Sequence, residues 1–239
     1  MTAPAETAHA WWRSFRVLDE PTETFVWLKE RPRSLVPLIA FLLVALAAAF
    51  VTPAKIYQDM ARQRVEAIQE RSPDFSDEQG QEMIDNAATT RSRIFVSGAQ
   101  IAFGLVSFAI VALVLMLIFN SMTVEPIRFR EEWSIVLHSY IPQLAGALLI
   151  VLLMRFAGFE QLRLSLGFLF DRETSPFLNA LGNHVHFFGV WNVYLLALGN
   201  QVRTGSKGIG APLGIVGGLW LLVGIAFAAI AGMFGSLGS

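Results

Sequence analysis

Within this 239-residue chain, His184 and His186 are the pair with metal-ligand character. Separated by one residue, two imidazoles point about 200° apart on a helix, so they share an ion only where the backbone is extended. The nearest carboxylates in sequence are Asp171 and Glu173, and no third ligand follows at a fixed offset. The pair reads either as a metal site or as an interfacial pair at the mouth of an apolar run. The chain has no cysteine, which removes thiolate catalysis, disulfides, cysteine-held zinc and iron–sulfur clusters. Gly205-Ser206-Lys207-Gly208 lacks the preceding glycine and the strand–helix context of a phosphate loop. We therefore expect no catalytic, cofactor-binding or metal-binding residue and a non-enzymatic protein. The alternative is a membrane metalloenzyme using His184 and His186.

The elements that position these residues follow from composition. Hydrophobic residues make up 54% of the chain and charged ones 15%, against about 25% charged in soluble domains. The apolar excess lies in runs at 34–52, 94–119, 134–156, 184–202 and 211–235. Each is near or above the roughly 20 residues that cross a hydrocarbon core of about 30 Å. The expected fold is an all-α integral membrane protein: a five-helix transmembrane bundle with interfacial amphipathic helices and a polar helical hairpin between the first two spans. Eighteen basic and nineteen acidic residues leave a formal charge of −1, so nothing electrostatic favours a nucleic-acid partner. The leader before the first run is too long for a typical secretory signal, and that run reads as a retained span.

Inside the runs the polar residues are Gln100, His138, Gln143, Asn192, Asn200 and Gln201, with Arg155 near an end. Transporters and pumps keep acids or bases at mid-membrane despite a cost of at least ~2.5–3.5 kcal/mol. These runs have no central Asp, Glu or Lys, which argues against proton-coupled transport. The amides read as interhelical hydrogen bonds, and Arg155 snorkels to the interface. A small permease or a subunit of a larger exporter, with the amides and a kinked third span lining a path, is the alternative in the transport class.

Two domains are expected, an N-terminal tail with an interfacial helix at 1–33 and a membrane domain at 34–239. In the first, Trp11, Trp12, Phe15, Phe25 and Trp27 alternate with Arg13, Arg16, Lys29, Arg31 and Arg33, a mixture suited to the headgroup layer. A short helix starts near Asp19-Glu20-Pro21, with Pro21 in its first turn. The hydrophilic stretch 53–93 reads as a helix–turn–helix that extends the first two spans. Ile56, Met60, Val65 and Ile68 recur at helical spacing, and Ser76-Asp77-Glu78-Gln79 reads as a capping box. Pro142 predicts a kink in the third span. The amphipathic stretch 158–181 is expected to lie along the membrane surface. Gly210, Gly214 and Gly218, at i, i+4 and i+8 of the last run, predict a close helix contact, within the chain or with a partner. The basic cluster Lys29, Arg31 and Arg33 and a C-terminal tail without basic residues orient the chain with its N-terminus inside and its C-terminus outside.

Several of these segments resemble the Yip family, the Ypt/Rab-interacting five-span membrane domain that has distant bacterial members. Glu20-Pro21-Thr22-Glu23-Thr24-Phe25 ahead of Arg31-Pro32-Arg33 looks like the family's Pro-x-x-x-Phe and proline lead-in to the first span. His138-Ser139-Tyr140-Ile141-Pro142, after Phe129-Arg130-Glu131-Glu132-Trp133, is similar to its tyrosine-plus-proline start of a span. His186-x-Phe188-x-x-Trp191, leading to the basic loop 203–207, resembles its Asp-x-Phe-x-x-Trp motif, with His186 where the family usually has aspartate. The resemblance runs from about Asp19 to Phe234. It implies a non-catalytic protein without cofactor that works beside membrane lipids and other membrane proteins, transporter subunits among them, or copies of itself. Eukaryotic members assemble with one another and with small GTPases in vesicle traffic, through a cytosolic N-terminal region. In this chain that region is only about thirty residues long. The polar hairpin is similar to that of some bacterial relatives, which implies a bacterial inner membrane.

Overall fold

Residues 10–72, 74–156, 165–171 and 174–235 are described by the structure, a computed structural model. The expectations for 1–9, for Pro73 and for the segment 157–164 with Glu160 and Arg163 lie outside the described residues. Every regular element among the described residues is helical: α1 Ala10–Phe15, a 3-10 turn Arg16–Leu18, α2 Pro21–Glu30, α3 Leu35–Val51, α4 Ala54–Gln69, α5 Asp77–Ala87, α6 Thr90–Asn120, α7 Phe129–Ser139, α8 Ile141–Phe156, a second 3-10 turn Leu166–Leu169, α9 Pro176–His184, α10 Phe187–Thr204 and α11 Gly210–Gly235. A single bridge pairs Ser165 with His186.

Helix α6, the segment Phe129–Leu153 and the segment Gly210–Met233 are each long and apolar enough to cross a membrane, and α3 with α4 makes a fourth candidate if that bent pair is one span. Five were expected. Run 184–202 became α10, whose Asn192, Asn200, Gln201 and Arg203 dilute its apolar content and whose Leu195 and Ala197 are fully buried. Run 134–156 gained a polar start, because the candidate segment reaches back to Phe129 and includes Glu131 and Glu132. On α6 and α11 the large apolar side chains face outward, among them Phe103 at 72% and Leu222 at 64% exposure. Apolar surface on that scale is what lipid covers.

The chain divides into two units, one of residues 1–40, 107–146 and 163–239, the other of 41–106 and 147–162. In the first, α10 packs against α2, α7 and α11. At Gly199 the helices approach closely: a Cβ there would stand 2.5 Å from Ile135 and 3.0 Å from Phe25. A glycine lets the helices meet without displacing either side chain. Phe25 and Ile135 are buried, so the aromatic residue of α2 belongs to this packing. Between α7 and α8 the helix is interrupted at Tyr140, two residues before Pro142, where a missing backbone donor costs least. The interruption leaves Phe129–Leu153 a single span-length segment.

The stretch 158–181 is not one surface helix where it is described. Leu166–Leu169 forms a 3-10 turn, Thr174 N–H and hydroxyl bond the Asp171 carboxylate, and α9 begins only at Pro176. Short polar side chains that bond their own backbone compete with helix, and proline starts one at its first turn. Buried Asn179 holds the two parts together, donating to Gly167 O at 2.9 Å and Phe170 O at 2.7 Å.

In the second unit, α4 and α5 form the polar hairpin, closed over Ala61, Val65 and Ile84 with Phe75 and Met83 beside them. The capping box is present: Gln79 N–H donates to Ser76 Oγ at 3.2 Å and Ser76 N–H to Gln79 Oε1 at 3.1 Å. The hairpin does not extend the first apolar helix as expected. α4 turns 85° from α3 at Thr52-Pro53, since proline cannot donate and its ring disfavours helical backbone in the residue before it. The carbonyls freed at the end of α3 are taken by Arg93 of α6, which donates to Thr52 O and to Phe50 O and lies over the Tyr57 ring at 4.9 Å. A cation on a helix C-terminus opposes the partial negative charge there.

Candidate functional site

The densest polar chemistry lies between α7 and α10. Glu131 and Glu132 stand in the first turn of α7, where acidic side chains meet the positive end of the helix. Glu131 accepts from its own Arg128 N–H at 2.9 Å and from Arg203 of α10, through Nε at 3.0 Å and Nη2 at 2.9 Å. Arg203 is 5% exposed; it also donates to Pro126 O at 3.1 Å and faces Glu125 at 3.5 Å. Its guanidinium thereby ties the end of α10 to the loop before α7 and to the first turn of that helix.

One residue on, Glu132 is fully buried. Its Oε1 accepts from Asn200 Nδ2 at 3.0 Å, and the same amide donates to Leu196 O at 3.0 Å. Glu132 Oε2 and Asn200 Oδ1 are buried without a hydrogen-bond partner among the described residues. Further along α7, buried His138 turns Nδ1 to Ser134 O at 2.8 Å, while its Nε2 has no hydrogen-bond partner among the described residues. Ser134 Oγ donates to Arg33 O at 2.6 Å, and Asn192 Nδ2 to Ser139 O at 2.8 Å. These bonds join α7 to α10 and to the turn before α3. Asn192 and Asn200 bond across helices, as expected of the amides in the apolar runs, although α10 is not among the candidate spans.

A second polar cluster lies at α1 and α2. Trp27 has the Arg13 guanidinium 6.0 Å from its ring centroid and that of Arg33 at 5.8 Å. Arg16 pairs with Glu20 and reaches Glu23 at 4.0 Å. Arg13, Arg16, Glu20, Glu23, Thr24 and Trp27 line a cleft of about 220 Å³.

The two histidines have separate tasks. His184 stacks on Trp220 at 4.6 Å and bonds Trp220 O through Nε2 at 2.9 Å. His186 is extended and caps α10, its Nδ1 accepting from Gly189 N–H at 3.1 Å. Among the described residues no three His, Cys, Asp or Glu side chains stand together as metal ligands would. Of the other positions singled out, Pro21 opens α2 and Phe25 is buried behind it. Tyr140 meets Phe108 edge-on at 4.6 Å, and Pro142 is fully buried. Phe188 fills the space left by Gly146, and Trp191 stands edge-on to Phe187 at 5.7 Å. Gly210, Gly214 and Gly218 have no described residue within 4 Å of where a Cβ would stand. The sequence names Glu131, Glu132 and Arg203 only as parts of the family motifs and assigns them no task; the available sign was a pair of acids opening an apolar helix, with Asn200 and Arg203 one turn apart on another.

Together these features define a class: an integral membrane protein, all-helical in its described residues, with a buried acid, amide and guanidinium joining two helices and outward-facing apolar spans. Within that class the chain belongs to the Yip1 domain family, which it matches over residues 15–203. No curated protein and no solved structure matches it.

Proposed function

We propose that this Yip1-domain protein is a non-enzymatic scaffold or accessory subunit of a membrane assembly. The observation that carries this reading is the face of α11 at Gly210, Gly214 and Gly218. These glycines recur every fourth residue, and a Cβ on any of them would meet no described residue within 4 Å, whereas one on Gly224 or Gly232 of the same helix would press against His184 or Phe177. Small residues at that spacing admit a second helix to backbone contact, which replaces the missing hydrophobic drive in lipid. The partner is a second copy or another membrane protein.

The chain lacks cysteine, so a single Gly214→Cys substitution gives a clean test. Oxidation in native membranes is expected to yield a cross-linked homodimer or a cross-link to a co-purifying membrane protein. Monomer alone, after cross-linking and after gentle-detergent pull-down with mass spectrometry, removes the basis of the reading.

In the same proposal the membrane is a bacterial inner membrane, α3 and α10 complete five spans, the N-terminus is cytoplasmic and the C-terminus lies outside. Basic Lys29, Arg31 and Arg33 before α3 support that orientation. Reporter fusions active outside only at the C-terminus are the expected result. The buried Glu132, inside the candidate segment Phe129–Leu153, favours a second reading, a small permease or exporter subunit. Solute flux in proteoliposomes of the purified protein supports it over the scaffold.

A further inference from the structure

The cleft between α1 and α2 carries two guanidinium and two carboxylate groups, so its formal charges cancel, yet the charges are not all used. Arg16 is engaged by Glu20. Arg13 has no carboxylate partner among the described residues, and its contact is with the face of Trp27. Glu23 is held loosely, 4.0 Å from Arg16 with its side chain 75% exposed. The cleft thus offers an available cation, an available anion and an indole wall within one space of about 220 Å³. Thr24 closes part of its lining, its hydroxyl turned back to Glu20 O at 3.0 Å.

The complement of such a space is a small zwitterion. Its surroundings point to the source: Trp11 and Trp12 are 54% and 58% exposed, standing edge to face at 5.8 Å on α1. Exposed indoles beside basic residues, ahead of an apolar helix, belong in the headgroup layer. An anionic headgroup meets Glu20 and Glu23 there as well as the arginines, and a choline headgroup has no N–H to give a carboxylate.

We propose that the Arg13–Glu23–Trp27 cleft is a binding site for the phosphoethanolamine headgroup of a membrane lipid. The phosphate accepts from the Arg13 guanidinium, the primary ammonium donates to Glu23, and the ethylene bridge lies along Trp27. Net-neutral pairing on both sides gives selectivity by headgroup chemistry rather than by charge.

Native mass spectrometry of the full-length protein, incubated with equal amounts of phosphatidylethanolamine, phosphatidylcholine and phosphatidylglycerol of the same acyl chains, tests the assignment. The expected result is retention of phosphatidylethanolamine about fivefold above either of the others, a difference of roughly 1 kcal/mol. Arg13→Gln is expected to lower that retention, and Glu23→Gln to reduce the excess of phosphatidylethanolamine over phosphatidylcholine. Both side chains lie at the surface, so circular dichroism is expected to match the unsubstituted protein. Preferred retention of phosphatidylglycerol, equal retention of all three lipids, or a preference that both substitutions leave intact overturns the proposal.

Discussion

Arg203 reaches from α10 to a single carboxylate oxygen of Glu131 with two nitrogens, at 3.0 and 2.9 Å. The guanidinium is 5% exposed and the Glu131 side chain 19%, so water screens this pair little and the fork geometry sets its strength. Arg203→Lys keeps the charge and loses the fork, together with one of the contacts to Pro126 O or Glu125. We expect it to destabilise the folded protein in detergent by about 1.5–3 kcal/mol. Chemical unfolding followed by tryptophan fluorescence checks this; an unchanged midpoint rejects the role given to the fork.

Glu132 and Asn200 make a different kind of pair, because each keeps an unpartnered buried oxygen, Oε2 and Oδ1. Glu132→Gln turns the unpartnered Oε2 into an amide donor of matching size for Asn200 Oδ1 and is expected to raise stability by about 1 kcal/mol. Asn200→Leu leaves both oxygens of the buried Glu132 carboxyl without a hydrogen bond and is expected to cost about 1–3 kcal/mol. The double variant Glu132→Leu with Asn200→Leu is expected to recover much of that loss. A double-mutant cycle of Glu132→Leu, Asn200→Leu and their combination measures the coupling, and additive effects of these two single changes contradict it.

At Gly199 the expected effect is steric. Alanine places a methyl 2.5 Å from Ile135 and 3.0 Å from Phe25, and the overpacking is expected to cost about 1–3 kcal/mol. Trimming the opposing side chain in a Gly199→Ala, Ile135→Val variant is expected to return part of it. Equal melting temperatures for Gly199→Ala and the parent protein exclude a close contact at this point.

His186 acts as the first residue of a helix cap. An aspartate oxygen accepts the same Gly189 N–H, so His186→Asp is expected to preserve or raise stability. His186→Ala is expected to lose about 0.5–2 kcal/mol. If both substitutions lower stability equally, the cap is not what this side chain contributes.

The elements whose signals are local could be read from the sequence. Ser76 and Gln79 announce a helix start through their own hydrogen bonds, and α6 and α11 through unbroken apolar runs. The path of the chain between elements was less legible. The 85° turn after α3 depends on Pro53 together with Arg93, forty residues downstream. The acids of α7 lie just ahead of the apolar run 134–156, where charge ordinarily marks an interface, while here Asn200 and Arg203 arrive from a distant helix to donate to them. Likewise, the glycines of α11 look alike in sequence. Only the packed structure separates Gly224, where a Cβ would meet His184, from Gly214, where it would meet no described residue within 4 Å.

Arg93 also bears on how the chain enters its membrane. The last carbonyls of α3, at Phe50 and Thr52, receive their side-chain donor from a residue more than forty positions later. During synthesis the first apolar helix therefore emerges with an unfinished end, and it is completed only after the polar hairpin and the first turn of α6 have left the ribosome. The end of α3 and the start of α6 are thus completed together, each by a group that the other supplies.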